Sequence, residues 1–370
     1  MPRSLFLSGG GARGAYQVGV LLGIQEITQA GRLPFDILSS VSAGSINAAF
    51  LAMYVDDFRV GVNKLADIWT SLSCEKVYRA GNLALIESVI RNLVNMLFHI
   101  RIPGGQYLLD TAPLKKLLER ELDFRKINNN VDTGALKAFE VSSICYEMAG
   151  TISFFCSSEP HEGWRRTRHF GYPTQIECSH ILASSAIPLF FPAVKIDNLH
   201  YGDGGMRQAN PLRASIELGA NSILIIGTKK ESPFLDPRDL HSMGDVTFAR
   251  ILGTMFNTLF LDNVERDLDI LIKINANLEL TCVPEKESIW RKINVLYINP
   301  SVDLGKLATD KIKVMSLLMR YLMNAFGQKE QAGDFLSFLL FEAEYCKELI
   351  KIGYQDALKQ KNEIVKFFAV

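Results

Sequence analysis

Ser40-Val41-Ser42-Ala43-Gly44 sets a serine between an apolar run and a stretch of small residues, two positions before a glycine. That is the spacing of a nucleophile elbow, a sharp strand-to-helix turn that pushes a serine hydroxyl out above a sheet. Backbones come close together in such a turn, so its neighbours must be small. Ala43, Gly44, Ser45, Ala48, Ala49 and Ala52 meet that demand. The usual pattern has glycine where Ser40 stands, and a tight strand–helix turn with a polar cap accounts for the pentapeptide equally well.

A second cluster, Gly9-Gly10-Gly11-Ala12-Arg13-Gly14, also satisfies G-x-G-x-x-G after a strand and before a helix. Alone it is a weak dinucleotide signal. A Rossmann unit next needs an acidic residue at the end of the second strand to hold a ribose. That strand ends here in Ser39-Ser40-Val41-Ser42, and Asp36 lies at its beginning. The glycines suit another task. Free of side chains, Gly9, Gly10 and Gly11 can turn their amides toward a carbonyl held over Ser42. Such an oxyanion hole stabilises a transition state by roughly 3–4 kcal/mol per donor.

A serine nucleophile needs a base. The histidines are His99, His161, His169, His180, His200 and His241. A triad in the α/β-hydrolase order places its histidine late in the chain, and none follows His241. All six read as ordinary surface histidines, with His200 and His241 left open as bases. Asp203 is the better candidate. It stands in Tyr201-Gly202-Asp203-Gly204-Gly205, where flanking glycines allow a carboxylate to press directly on a hydroxyl. A glycine-rich turn with a locally bonded Asp is the other reading of that loop.

The elements that must position these groups follow from the pattern. Residues 3–7 and 35–41 read as strands, 15–30 and 45–54 as helices. A β-loop-α-β-α order argues for a parallel sheet with covering helices. Adjacent parallel strands would bring the glycine loop and Ser42 to one sheet edge. Residues 62–126 read as mostly helical, and Ile86, Val89, Ile90, Leu93, Leu97 and Ile100 form one apolar face. That face suits either the core or a lid that docks on a membrane. Paired strands are expected at 138–144 and 151–156, and a hairpin over 194–202 turning at Asp197-Asn198. A short helix at 211–218, strands at 222–227 and 295–298, and outer helices over 308–368 complete the expectation.

Taken together, Gly9-Gly10-Gly11-Ala12-Arg13-Gly14, Ser42-Ala43-Gly44, Ala183-Ser184-Ser185-Ala186-Ile187-Pro188 and Asp203-Gly204-Gly205 resemble the signature blocks of the patatin-like phospholipases, in order, across residues 3–212. The resemblance is to bacterial-type members. It implies an α/β fold of three layers: a mainly parallel central sheet with helices on both faces. Residues 3–212 would form the catalytic domain, with a helical insert at about 62–126. Residues 213–370 would complete the sheet to about 300 and add outer helices. It also implies hydrolysis of lipid acyl esters by a Ser-Asp dyad without histidine, metal or cofactor. Carried over, Ser42 is the nucleophile, Asp203 the base, and Gly9, Gly10 and Gly11 the oxyanion hole. Arg13, Gly14, Gly44, Gly204 and Gly205 support the site. Two positions depart from the family pattern. Ser8 stands where many members have Asp, and Ser40 where most have Gly. The partner implied is a phospholipid or other acyl-ester lipid, met through transient contact with a membrane. The rival from another class is a catalytically silent lipid- or nucleotide-binding scaffold. Such a scaffold has no use for a serine on an elbow.

Composition narrows the setting. The 40 basic and 40 acidic residues cancel, so the basic excess of a nucleic-acid binder is missing. A hydrophobic fraction of 48% excludes a disordered chain. Cys74, Cys145, Cys156, Cys178, Cys282 and Cys346 make no C-x-x-C pair, which argues against a zinc or redox site and for free thiols in a reducing compartment. The first residues run into glycines too soon for a secretory signal, and no apolar run of about 18 residues occurs. The expected location is the cytoplasm, with peripheral contact at a membrane.

Overall fold

Side-chain alternation in the first strand sorts the protein into two cores. A computed structural model describes residues 1–79, 107–231, 246–280, 290–311 and 329–369. In β1 (Arg3–Leu7), Leu5 and Leu7 point to one face and Phe6 to the other, as a strand's twofold period requires. Leu5 and Leu7 share a core with α1 (Gly14–Thr28), α2 (Ala43–Met53) and the late helix Ala343–Lys359. Phe6 packs with Ile223 and Ile225 against Ala214, Val264 and Leu271, which come from the helices Arg213–Glu217 and Asp262–Leu280. Helices therefore cover both faces of the sheet.

The remaining described strands are β2 (Ile37–Val41), β3 (Ala138–Cys145), β4 (Gly150–Ser157), β5 (Trp164–Arg166), β6 (His169–Pro173), β7 (Val194–Ile196), β8 (Leu199–Asp203), β9 (Ser222–Ile226) and β10 (Asn294–Ile298). Their order across the sheet is β10-β9-β1-β2-β3-β4-β6-β5. From β10 to β3 every pairing is parallel, so the carboxyl ends of five strands share one edge. Antiparallel pairs begin beyond β3.

One arrangement in this sheet creates the site. β2 pairs with β3 from Ala138 to Ser142, running parallel to it. β8 takes over the same flank of β3, running antiparallel and pairing Asp203 with Ser143. Two strands thus run head-on along one neighbour and stop at adjacent residues. Val41 and Asp203 meet end to end, although 161 positions separate Ser42 from Asp203 in the chain.

The α1 pairing with Ala343–Lys359 explains two glycines. A Cβ on Gly19 would stand 2.0 Å from the Ile350 carbonyl oxygen, and one on Gly353 2.1 Å from that of Tyr16. Only bare backbones allow so close a crossing. The outer C-terminal helices expected from the sequence are closely packed on their inner faces. Tyr345, Cys346 and Leu349 are fully buried, and the helix Lys329–Leu339 lies against the glycine loop. The expected strands and the 194–202 hairpin fall where the pattern puts them, whereas β5 and β6 are not expected from it. Within the expected helical stretch, the described helices are Phe58–Thr70, Cys74–Val77, Ala112–Glu121 and Phe124–Asp132. The expected apolar helix at 85–100 lies outside the described residues.

Candidate active site

Ser42 caps α2 with φ 56° and ψ −132°. A non-glycine residue in such a conformation costs on the order of 1–3 kcal/mol and persists only where its surroundings enforce it. The enforcing contacts come from the Ala183–Ile187 segment. The Ser42 amide donates to Ser184 Oγ at 2.8 Å, and Ser184 Oγ donates to the Ser142 carbonyl at 2.6 Å. Ser45 Oγ and Ser185 Oγ both donate to the Ser42 carbonyl, at 2.6 and 3.2 Å. The same segment holds Asp203, whose amide donates to the Ala186 carbonyl at 3.1 Å. One short stretch therefore clamps both residues of interest.

Ser42 Oγ donates directly to Asp203 Oδ2 at 2.5 Å. Asp203 Oδ1 accepts the Gly205 amide at 2.9 Å. Asp203 is fully buried, and burial pushes its carboxyl up from 3.8 to about 7, against the two hydrogen bonds that favour the ionised form. The glycines around the pair are required by close approach. A Cβ on Gly44 would stand 2.2 Å from the Leu7 carbonyl oxygen, and one on Gly204 2.3 Å from that of Ser142. Gly14 packs against Ala43, and Gly205 against the Phe260 ring.

The glycine loop lies beside this pair. A Cβ on Gly9 would approach the Ser42 Cβ to 3.1 Å. Gly10 and Gly11 adopt φ 149° and 56°, and no protein acceptor takes either amide among the described residues. Thr228 Oγ1 fixes the loop by donating to the Gly9 carbonyl at 2.6 Å. Arg13 is buried and anchors the loop to the helix Lys329–Leu339. Its Nε donates to Ser337 Oγ at 2.7 Å, one terminal nitrogen donates to Asp334 Oδ1 at 3.1 Å, and its guanidinium covers the Phe338 ring at 4.7 Å.

A family model described as patatin-like phospholipase matches residues 5–216, more than half of the chain. The chain belongs to the patatin family. Eleven solved chains also match. They include VipD from Legionella pneumophila, at 14% identity over 98% of this chain and 67% of that chain, with a TM-score of 0.40. No curated protein matches the sequence. At the level of the family, membership places the chain among lipid acyl hydrolases.

The four described histidines stand apart from Ser42 and Asp203. His200 bonds to Glu147, His161 to the Gly163 amide, His169 to Ser153 and His180 to the Glu177 amide. His169 and His180 are buried, which corrects their reading as surface residues, and burial lowers both to about 4. His99 and His241 lie outside the described residues. Ser40, at the position where patatins carry glycine, needs no glycine conformation. It lies within β2, and its Oγ donates to the Glu140 carbonyl at 2.8 Å. Ser8, at the other departure, donates to the Ile226 carbonyl at 3.1 Å.

Sequence reasoning missed two features of this environment. Glu140 is a fully buried carboxylate beneath the elbow, and accepts from Ser39 Oγ, the Ser40 amide and Ser142 Oγ. Its signal was a lone acid inside a strand with no other charged residue. The second is a cluster of five phenylalanines. Phe256 packs against Phe190, Phe260, Phe335 and Phe338 with ring centres 5.3–6.1 Å apart. Phe260 rests on Gly205 and the Phe338 backbone on Gly11, so the cluster brackets the pair from both sides. Ser42 retains 3% exposure. Among the described residues no His, Cys, Asp and Glu group is arranged to hold a metal, and no helix is long and apolar enough to cross a membrane.

Proposed function

We propose that the protein is a serine lipid acyl hydrolase of the phospholipase A or lysophospholipase type, working through Ser42 and Asp203. The observation that carries this reading is the direct 2.5 Å hydrogen bond from Ser42 Oγ to a fully buried carboxylate, made from a strained elbow. Asp203 takes the proton as Ser42 Oγ attacks the ester carbonyl. The developing oxyanion is met by the free amides of the Gly9–Gly11 loop, which Thr228 and Arg13 brace. The tetrahedral intermediate collapses, and Asp203 returns the proton to the departing alcohol or lysolipid. A water molecule, deprotonated by Asp203, then releases the fatty acid from Ser42.

Burial suits Asp203 to this work. A carboxylate with an ordinary value near 3.8 is a weak base, whereas one poised near 7 is matched to neutral pH. Gly14, Gly44, Gly204 and Gly205 serve by letting backbones pass where side chains would displace the pair. We place the phenylalanine cluster, which borders Gly205 and Gly11, at the substrate entrance. A silent binding scaffold would gain nothing from the strain held at Ser42.

The test is product analysis on a mixed lipid extract, comparing the protein with Ser42→Ala. Free fatty acid released by the parent and reduced at least a hundredfold in the variant is the expected result. Equal release by both refutes the assignment. A fluorophosphonate probe should label Ser42 in the parent alone.

A further inference from the structure

Three arginines crowd one short hairpin at the same edge of the sheet as Asp203. β5 and β6 join through Thr167 and Arg168, and Arg165, Arg166 and Arg168 are all exposed. Glu217 grips Arg166 with both carboxylate oxygens, at 2.8 and 2.9 Å. Arg165 lies over the Phe170 ring at 5.2 Å. Neither Arg165 nor Arg168 has a carboxylate partner among the described residues. Arg168 also adopts φ 57°, a left-handed conformation that glycine or asparagine fills at less cost. A bulky cation is kept where the backbone disfavours one, which points to a use for the charge.

The sheet register locates these cations relative to the dyad. Asp203 pairs with Ser143, Ser143 with Ile152, Ile152 with Phe170, and Phe170 with Arg165. Residues paired across a sheet project from the same face, so Arg165 and Asp203 share one. Four strand spacings of about 4.8 Å put them roughly 19 Å apart. Apolar side chains accompany the charge. Met148 is 58% exposed and lines one open depression of about 400 Å³ with Arg165 and Arg168. Tyr172 is 48% exposed, with its ring 6.2 Å from that of Phe170 and tilted by 40°.

We propose that this hairpin is a docking surface for an anionic lipid membrane. Arg165 and Arg168 pair with headgroup phosphates, while Met148 and Tyr172 enter the interface between headgroups and acyl chains. The spacing assigns the arginines a place in anchoring rather than in choosing the lipid to be cut. A phospholipid's phosphate lies only a few bonds from its own esters, so the phosphates bound at such a distance from Ser42 belong to neighbouring lipids. Docking there holds the catalytic edge against the bilayer. The proposal rests on the hydrolase reading only in taking lipid as the carrier of the phosphate.

The experiment uses full-length Ser42→Ala, which removes turnover, and sedimentation with two kinds of vesicle. One is phosphatidylcholine alone; the other is phosphatidylcholine with phosphatidylglycerol. The Ser42→Ala protein should bind the anionic vesicles at least tenfold more tightly, and added salt should weaken that binding. Adding Arg165→Glu and Arg168→Glu should remove at least nine-tenths of it with an unchanged melting temperature. If that variant does not fold, Arg165→Gln with Arg168→Gln should still cost threefold or more. A control carrying Arg59→Glu and Lys126→Glu, at the opposite sheet edge, should bind as Ser42→Ala does. Equal binding to both vesicle types, no loss in the hairpin variants, or an equal loss in the control overturns the proposal. Because binding is read on an inert variant, its failure leaves the hydrolase reading standing, and a failed lipid assay leaves this one standing.

Discussion

Asp203 is held in a state that water would not permit, and that has a sign which can be measured. Its folded value lies near 7, above the ordinary 3.8, so the native state keeps a proton that the unfolded chain has released. Stability from this residue is therefore full at acid pH and is lost as pH rises from about 4 to 7. At pH 8 the buried charge costs on the order of a few kcal/mol. Asp203→Asn should melt above the parent at pH 8, with the gap shrinking at pH 5, while esterase activity falls at least a hundredfold. In the parent, kcat/KM on a soluble short-chain ester should climb about tenfold per pH unit below 7 and level off above it. A flat profile between pH 5 and 8 would count against Asp203 as the base. The pair itself is legible in the sequence because each member sits in its own local signature, a small-residue elbow and a glycine-flanked acid. Ser184 is harder to assign a role. Its part in holding Ser42 exists only after the segment 183–187 has folded back over β3, and nothing in its neighbours announces that.

Helices and strands tell a similar story about what a pattern can carry. The parallel strands were readable because a strand buried on both faces leaves a continuous apolar run, as in Ser222–Ile226. The head-on meeting of β2 and β8 was not, since strand order depends on contacts between distant segments. The phenylalanine cluster escaped for the same reason. Phe190, Phe256, Phe260, Phe335 and Phe338 come from three separate stretches, and each looks like ordinary core filling in its own window. Phe256 is the ring that joins them. Phe256→Ala should cost about 3–5 kcal/mol of packing energy. It should also speed fluorophosphonate labelling of Ser42 at least tenfold, because the entrance opens. An unchanged labelling rate in a folded variant would show that these rings do not gate the serine.

For the molecule as a whole, the family match ends at residue 216 while the sheet does not. β9 pairs with β1 from Arg3↔Ser222 to Leu7↔Ile226, β10 extends it, and Ala343–Lys359 fills the crossing at Gly19. Residues 1–216 alone should therefore show no cooperative thermal transition by circular dichroism, while the full chain shows one. A sharp transition in the fragment would mean that the stretch matched by the family model is a self-sufficient domain. The link from Arg13 to Asp334 and Ser337 adds a consequence in time. A ribosome that has emitted 300 residues has already made Ser42, Asp203 and the glycine loop. It has not yet made the segment that steadies that loop through Arg13. On the proposed reading, the glycine loop gains its Arg13 brace only after residues 334–337 have been made, later than Ser42 and Asp203.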